Sequence, residues 1–369
     1  MIYLDNGATS FRKPPEVKAA VRRAMDTCAN PGRGGYGAAM EAANTVFRCR
    51  ERAGELFGCD PEQVVFTSNC THGLNIAIRS LVKPGSRVVI SGFEHNAVTR
   101  PLYALDAKVK IAGRRLFDPE DTLEAFEKAL KQGADAAVFT HVSNVFGYIL
   151  PVEELGAMCL RAGIPFIIDA AQSAGSLPVN LSSSGAAFIA MPGHKGLLGP
   201  QGTGILLCAG EAQPLLYGGT GNASISQRMP EDLPERLEAG TLNVPGIAGL
   251  EAGLKYLQRC APGSIAAREQ IQAKRCAEGL RKLGMDVYWG DHQAGTVSFR
   301  CGLDCKAAAQ RLAKQGIAVR AGLHCAPTAH ESAGTLDTGT IRISYGHDAG
   351  PEQTARILRA VEKLPRWKR

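Results

Sequence analysis

Apolar positions recur along this chain in two rhythms. Val46, Phe47, Ala53 and Phe57 fit one face of a helix, and Val152, Leu155, Cys159 and Ala162 recur at offsets 0, 3, 7 and 10 on another. Between such stretches lie short apolar runs at 87–90, 136–139, 165–168, 187–191 and 204–207. Runs this short, without alternation and bounded by glycine or polar residues, predict strands buried on both faces. Their alternation with helices predicts a mostly parallel α/β sheet.

From Pro245 the rhythm changes. Helical stretches at 246–259 and 264–283 precede a strand at 296–300, a helix at 306–315, short strands at 317–320 and 340–344, and a last helix from Pro351. This pattern predicts a smaller α+β domain. The expected division is a large domain at 15–255 and a small one made of 1–14 and 256–369. No apolar run reaches the roughly 18 residues of a membrane span.

Composition narrows the function classes. The 369 residues are 45% hydrophobic and 21% charged, which argues against disorder. The net charge of +7 is spread along the chain apart from a short basic tail, so nothing concentrates into a nucleic-acid stripe. The start, MIYLDNGATS, carries an acidic residue and no apolar h-region, so no export signal is expected. With eleven cysteines, no CxxC pair and no export signal, the expectation is reduced thiols in a cytoplasm and no metal site.

Candidate chemistry gathers at two strand ends, where open α/β sheets bind ligands. The run PFIIDAAQSAG carries Asp169 and, three residues on, Gln172. The run AAFIAMPGHKGLLGPQGTG carries His194 and Lys195 between glycines. A lysine in a tight loop after a buried strand is desolvated, which lowers its pKa and makes it nucleophilic. With an acid on the neighbouring strand end, these are the parts of a pyridoxal phosphate site.

Eight stretches, YLDNGATS, FTSNCTHGLN, EHNAV, THVSNVFG, IIDAAQSAG, GHKGLLGPQGTG, EAGTLNV and RAGLHCAP, occur in order from residue 3 to about 345. In them the chain resembles the class V aminotransferases, and most closely the cysteine desulfurase and selenocysteine lyase group. The resemblance implies a fold-type I architecture, with a seven-stranded-type sheet and a smaller C-terminal domain. It implies pyridoxal 5′-phosphate, with Lys195 as the Schiff-base lysine, Asp169 on the ring nitrogen, Gln172 on the phenolic oxygen and His95 stacked on the ring. Cys70, Thr71 and His194 would face the phosphate, and Thr241 would reach it from the other subunit of a homodimer. Arg342, helped by Asn144 and with Arg320 nearby, would hold a substrate carboxylate.

Cys325 would be the reactive thiol, its thiolate favoured by Arg320 and His324. The implied activity converts L-cysteine to L-alanine, holds the sulfur on Cys325 as a persulfide and passes it to an acceptor protein. The alternatives are selenocysteine lyase, or a class V transaminase or lyase acting on another small amino acid. Two positions depart from the family pattern. Pro192 replaces a usual serine, and Cys70 a frequent threonine. Both weaken the expected hold on the phosphate.

Overall fold

The structure, a computed structural model, describes residues 1–32, 34–221 and 225–367. In chain order its strands are β1 (Ile2–Tyr3), β2 (Val64–Thr67), β3 (Arg87–Ser91), β4 (Lys108–Ala112), β5 (Ala136–Thr140), β6 (Phe166–Asp169), β7 (Phe188–Pro192), β8 (Gly204–Cys208), β9 (Asp286–Tyr288), β10 (Thr296–Arg300), β11 (Ile317–Ala318), β12 (Arg320–Gly322) and β13 (Thr340–Ser344). Seven form one sheet in the order β2-β8-β7-β6-β5-β3-β4. Strand β8 runs antiparallel to both its neighbours. The pairs from β7 across to β4 are all parallel.

All five predicted apolar runs lie in this sheet. Two strands were not among the predicted runs: β2, whose apolar stretch is only Val64, Val65 and Phe66, and β4, at the edge, which is largely uncovered. Strands β5 to β8 are buried along their whole length. Their side chains alternate between two cores, as the period of two requires. Phe139, Ile168, Ile189 and Leu207 pack on one face with the Gly37–Phe57 helix. Val138, Ile167, Phe188 and Leu206 pack on the other with the Cys70–Leu81 helix.

Both predicted helix faces need trimming. Phe47 is 52% exposed, because it stands one residue, or about 100°, from Val46 on the Gly37–Phe57 helix. Ala162 is exposed as the last residue of the Val152–Ala162 helix.

A second, antiparallel sheet has the order β12-β13-β10-β9. Its core holds Cys276, Phe299, Ile341 and Ile357, joined by Ile2 and Leu4 from the N-terminus. Strand β1 pairs in parallel with β11. A few residues later the same segment reaches the first sheet, where the Ser10 hydroxyl donates to the carbonyls of His194 and Lys195. The N-terminal segment therefore ties the small sheet to the loop after β7. Among the described residues, no helix is long and apolar enough to cross a membrane.

Candidate active site

Strands β3, β5, β6 and β7 run in one direction, and β2 joins them across antiparallel β8, so their carboxyl ends meet at one edge. Cys70 and Thr71 open the helix after β2, and His95 follows β3. Asn144 follows β5, Asp169 ends β6 with Gln172 just beyond, and His194 and Lys195 follow β7. All eight line one cavity of about 100 Å³, together with Asn69, Thr140 and Pro192.

The loop carrying Lys195 owes its tightness to its glycines. A Cβ on Gly193 would stand 2.1 Å from the Thr203 hydroxyl, and one on Gly196 2.2 Å from the Ala174 carbonyl. Burial lowers the Lys195 amine below its usual range. Cys70 and Asp169 oppose that shift, and Arg342 and Arg320 add to it. Asp169 is 2% exposed and accepts from the Ala171 N–H at 2.9 Å and from the Cys70 thiol at 3.5 Å.

The other side chains of the cavity are anchored as well. His95 Nδ1 accepts from the Ala97 N–H at 3.0 Å, capping the Asn96–Ala104 helix. Its proton therefore lies on Nε2, and burial keeps the ring neutral. His194 Nδ1 meets the Thr9 hydroxyl at 3.0 Å, and burial takes its pKa down to about 4. The Gln172 amide donates to the Gly7 carbonyl at 2.9 Å. Asn69 caps the Cys70–Leu81 helix by accepting from the His72 N–H at 2.9 Å. The first N–H groups of that helix have no partner within it and suit an anion.

The small sheet supplies the rest. Arg342 lies inside β13 between β12 and β10, directly opposite Arg320 across the β12–β13 pair. Two facing arginines repel, and Asp5 resolves the clash. It accepts from Arg342 Nη2 at 2.8 Å and from Arg320 Nη2 at 3.0 Å. Arg342 is 2% exposed, and its Nη1 donates to the Asn144 carbonyl at 2.8 Å. Its Nε and the Asn144 Oδ1 are both buried without a partner. The Asn144 amide donates to the His324 carbonyl at 2.8 Å, and the Asn96 N–H donates to the Cys325 carbonyl at 2.7 Å. These two bonds bring the Cys325 loop to the residues beside His95. Cys325 is the exposed one among eleven free cysteines.

The sequence profile of the family described as Aminotransferase class-V matches residues 2–356. The chain belongs to the class-V aminotransferase family. Among curated relatives, it is 33% identical to a probable cysteine desulfurase of Pyrococcus abyssi, over 99% of this chain and 94% of that one. It is 31% identical to a probable cysteine desulfurase of Methanothermobacter thermautotrophicus, over 98% and 94%. Among solved structures, it superposes on the apo cysteine desulfurase of Thermococcus onnurineus with a TM-score of 0.90, at 33% identity, covering 98% of this chain and 94% of that one.

Class-V aminotransferases are pyridoxal-phosphate enzymes, and this cavity fits that group. It offers a lysine amine of lowered pKa, a buried carboxylate, a neutral imidazole, a helix N-terminus for an anion and an unsatisfied acceptor at Asn144. Two further positions make contacts that the sequence did not show. Cys70 gives its S–H to Asp169, and burial pushes its pKa well up. His324 is buried and its pKa falls to about 2, so it lends Cys325 no positive charge.

Thr241 is exposed and lines a different cavity, of about 980 Å³, with Phe47, Arg50, Gly219 and Leu242. Asp5, Thr140 and Glu94 were not singled out from the sequence. Asp5 lay in plain view inside YLDNGATS. Glu94 precedes His95, is fully buried, and accepts from the Ser91 hydroxyl and from the Thr140 N–H at 2.8 Å.

Proposed function

We propose that the protein is a cysteine desulfurase that converts L-cysteine to L-alanine and holds the sulfur as a persulfide on Cys325. One observation carries the proposal: the only exposed cysteine is fixed by its own carbonyl to the N–H of Asn96, next to His95 of the Lys195 cavity. The identity to relatives named cysteine desulfurases supports it.

Pyridoxal 5′-phosphate bound in the cavity supplies an electron sink beside the substrate's amine-bearing carbon. Lys195 would bond it, Asp169 would keep its ring nitrogen protonated, Gln172 would face its phenolic oxygen, and His95 would cover its ring. Thr71, His194 and the start of the Cys70–Leu81 helix would hold its phosphate. The rest falls to the chain. Arg342, with its spare N–H groups, and Asn144 orient the substrate carboxylate, and Arg320 adds positive charge beside them. Lys195, with an amine of lowered pKa, takes the α-proton and returns a proton to the product. The Cys325 thiolate forms an S–S bond as the substrate's C–S bond breaks. The electron pair of that bond stays on the three-carbon fragment, which takes up a proton and leaves as alanine.

Thr241 lines a cavity other than that of Lys195 in its own chain, together with exposed Phe47. We read that surface as the contact of a homodimer, with Thr241 serving the phosphate of the other copy. The exposed Cys325 suits hand-over of sulfur to an acceptor protein. All eleven cysteines are free, which suits the reducing cytoplasm. We also propose a division into a large domain at 15–255 and a small one made of 1–14 and 256–369. The separate core around Phe299 supports it, while Leu257, Ile265, Ala326 and Ala329 pack in the large core at the seam.

The test is peptide mapping of the holoenzyme after L-cysteine without reductant. One added sulfur atom on the Cys325 peptide is the expected result. Added sulfur on another cysteine, with none on Cys325, would overturn the role.

A further inference from the structure

His324 and Cys325 are consecutive non-glycine residues in the left-handed region, at φ 52° and 56°. Such backbone persists only where its surroundings over-determine it. Behind it lies a buried polar chain that the sulfur chemistry does not use. The Thr335 hydroxyl is 2.7 Å from His330 Nδ1, His330 Nε2 is 3.4 Å from His324 Nδ1, and His324 Nε2 is 3.5 Å from the Arg320 carbonyl. His330 and Thr335 are 0% exposed and His324 9%. The two imidazoles lie within 11° of parallel.

One assignment of protons satisfies every atom. A carbonyl only accepts, so His324 carries its proton on Nε2 and donates to Arg320. His324 Nδ1 is then a lone pair and accepts from His330 Nε2–H. His330 Nδ1 in turn accepts from the Thr335 hydroxyl. The chain runs one way, from Thr335 to the carbonyl of β12. It uses both nitrogens of His324, so that ring cannot serve Cys325 as a base. Its effect is on position: it fixes the His324 side chain while Asn144 fixes the His324 carbonyl and Asn96 the Cys325 carbonyl.

We propose that His330 and Thr335 are positioning residues that aim Cys325 at the substrate sulfur by locking His324. The proposal rests on Cys325 receiving that sulfur.

The experiment compares holoenzyme of wild type, His330→Leu, Thr335→Val and His330→Gln. It reads kcat and KM for alanine release from L-cysteine, and the rate of Cys325 alkylation by iodoacetamide from peptide maps. The expected result is a kcat roughly 10- to 100-fold lower in H330L, the scale of a misplaced reacting group, with KM within about twofold. A smaller kcat loss is expected in T335V, and most of the kcat is recovered in H330Q, whose amide can also donate to His324. Alkylation of Cys325 changes several-fold in both damaging variants. Wild-type kcat and alkylation in H330L and T335V would overturn the proposal. So would parallel changes in kcat and KM that H330Q does not repair. If H330L fails to fold, T335V against wild type decides by the same readings. If the wild type releases no alanine, the sulfur reading fails, and the alkylation rates alone decide the positioning role.

Discussion

Lys195 and Cys325 end two loops built in opposite ways. The Lys195 loop follows a central strand and is closed in by glycines that no larger residue could replace. The Ser10 hydroxyl holds its carbonyls, and burial depresses its amine. The Cys325 loop follows β12, which pairs only with β13 in its sheet, and it presents its side chain to solvent. Its backbone is tied through Asn96 and the neighbouring His324 carbonyl, and the His324 side chain is tied to His330, while the Cys325 side chain makes no hydrogen bond among the described residues. The lesson is chemical. A nucleophilic amine gains from desolvation, whereas a thiol proposed to receive sulfur and give it away needs access. One fold supplies both by drawing the first from the interior of a large sheet and the second from the rim of a small one.

The sharpest way to break this contrast is Lys195→Ala. It should remove the visible absorbance of lysine-bound cofactor and lower alanine formation by roughly 10³-fold or more. Next comes Cys325→Ser, expected to lower alanine release by about 10²-fold while the absorbance change on adding L-cysteine persists. A variant that loses both would place Cys325 with the buried site.

Asp5→Asn tests the bridge between the two sheets. It leaves the facing pair Arg320 and Arg342 with one neutral acceptor, and urea unfolding should report a loss of about 2 kcal/mol. An unchanged midpoint would show that the guanidinium groups find other partners.

Pro192→Ser restores a hydroxyl in the cavity wall. Dialysis against buffer should then strip cofactor more slowly, with a Kd lower by about fivefold. A wild-type protein that stays fully loaded through dialysis would contradict the weak hold expected from Pro192.

The smallest effect concerns Glu94, whose burial raises its pKa from the ordinary 4.5 to about 8. Folded protein keeps this proton over that window while unfolded protein releases it. The contribution of Glu94 to stability is thus present below pH 4.5 and is lost as pH rises to about 8. Measured by urea unfolding across that range, Glu94→Gln should gain on the wild type as pH rises. A constant difference would mean that Glu94 is ionised in the fold.

Much of this was legible in the sequence. Lys195 and Asp169 were readable because buried strands are short apolar runs and their polar ends stand out. The five central strands were legible for the same reason, whereas β4, largely uncovered at the edge, carries no such run. Asp5 was hidden because its partners, Arg320 and Arg342, are more than 300 residues away in sequence. Pairing of that kind is a property of the fold. His324 was misjudged for a related reason: a histidine beside a cysteine suggests charge, but its burial against His330 keeps it neutral. The contact of Cys70 with Asp169 was equally out of reach, since it needs the start of one helix laid against the end of β6.

The most direct measurement is alanine release from L-cysteine by the holoenzyme under a reducing thiol, with the Cys325→Ala variant alongside. Alanine with an equal amount of sulfide from the wild type, and next to none from the variant, is the predicted result. Equal alanine from both would contradict the role given to Cys325.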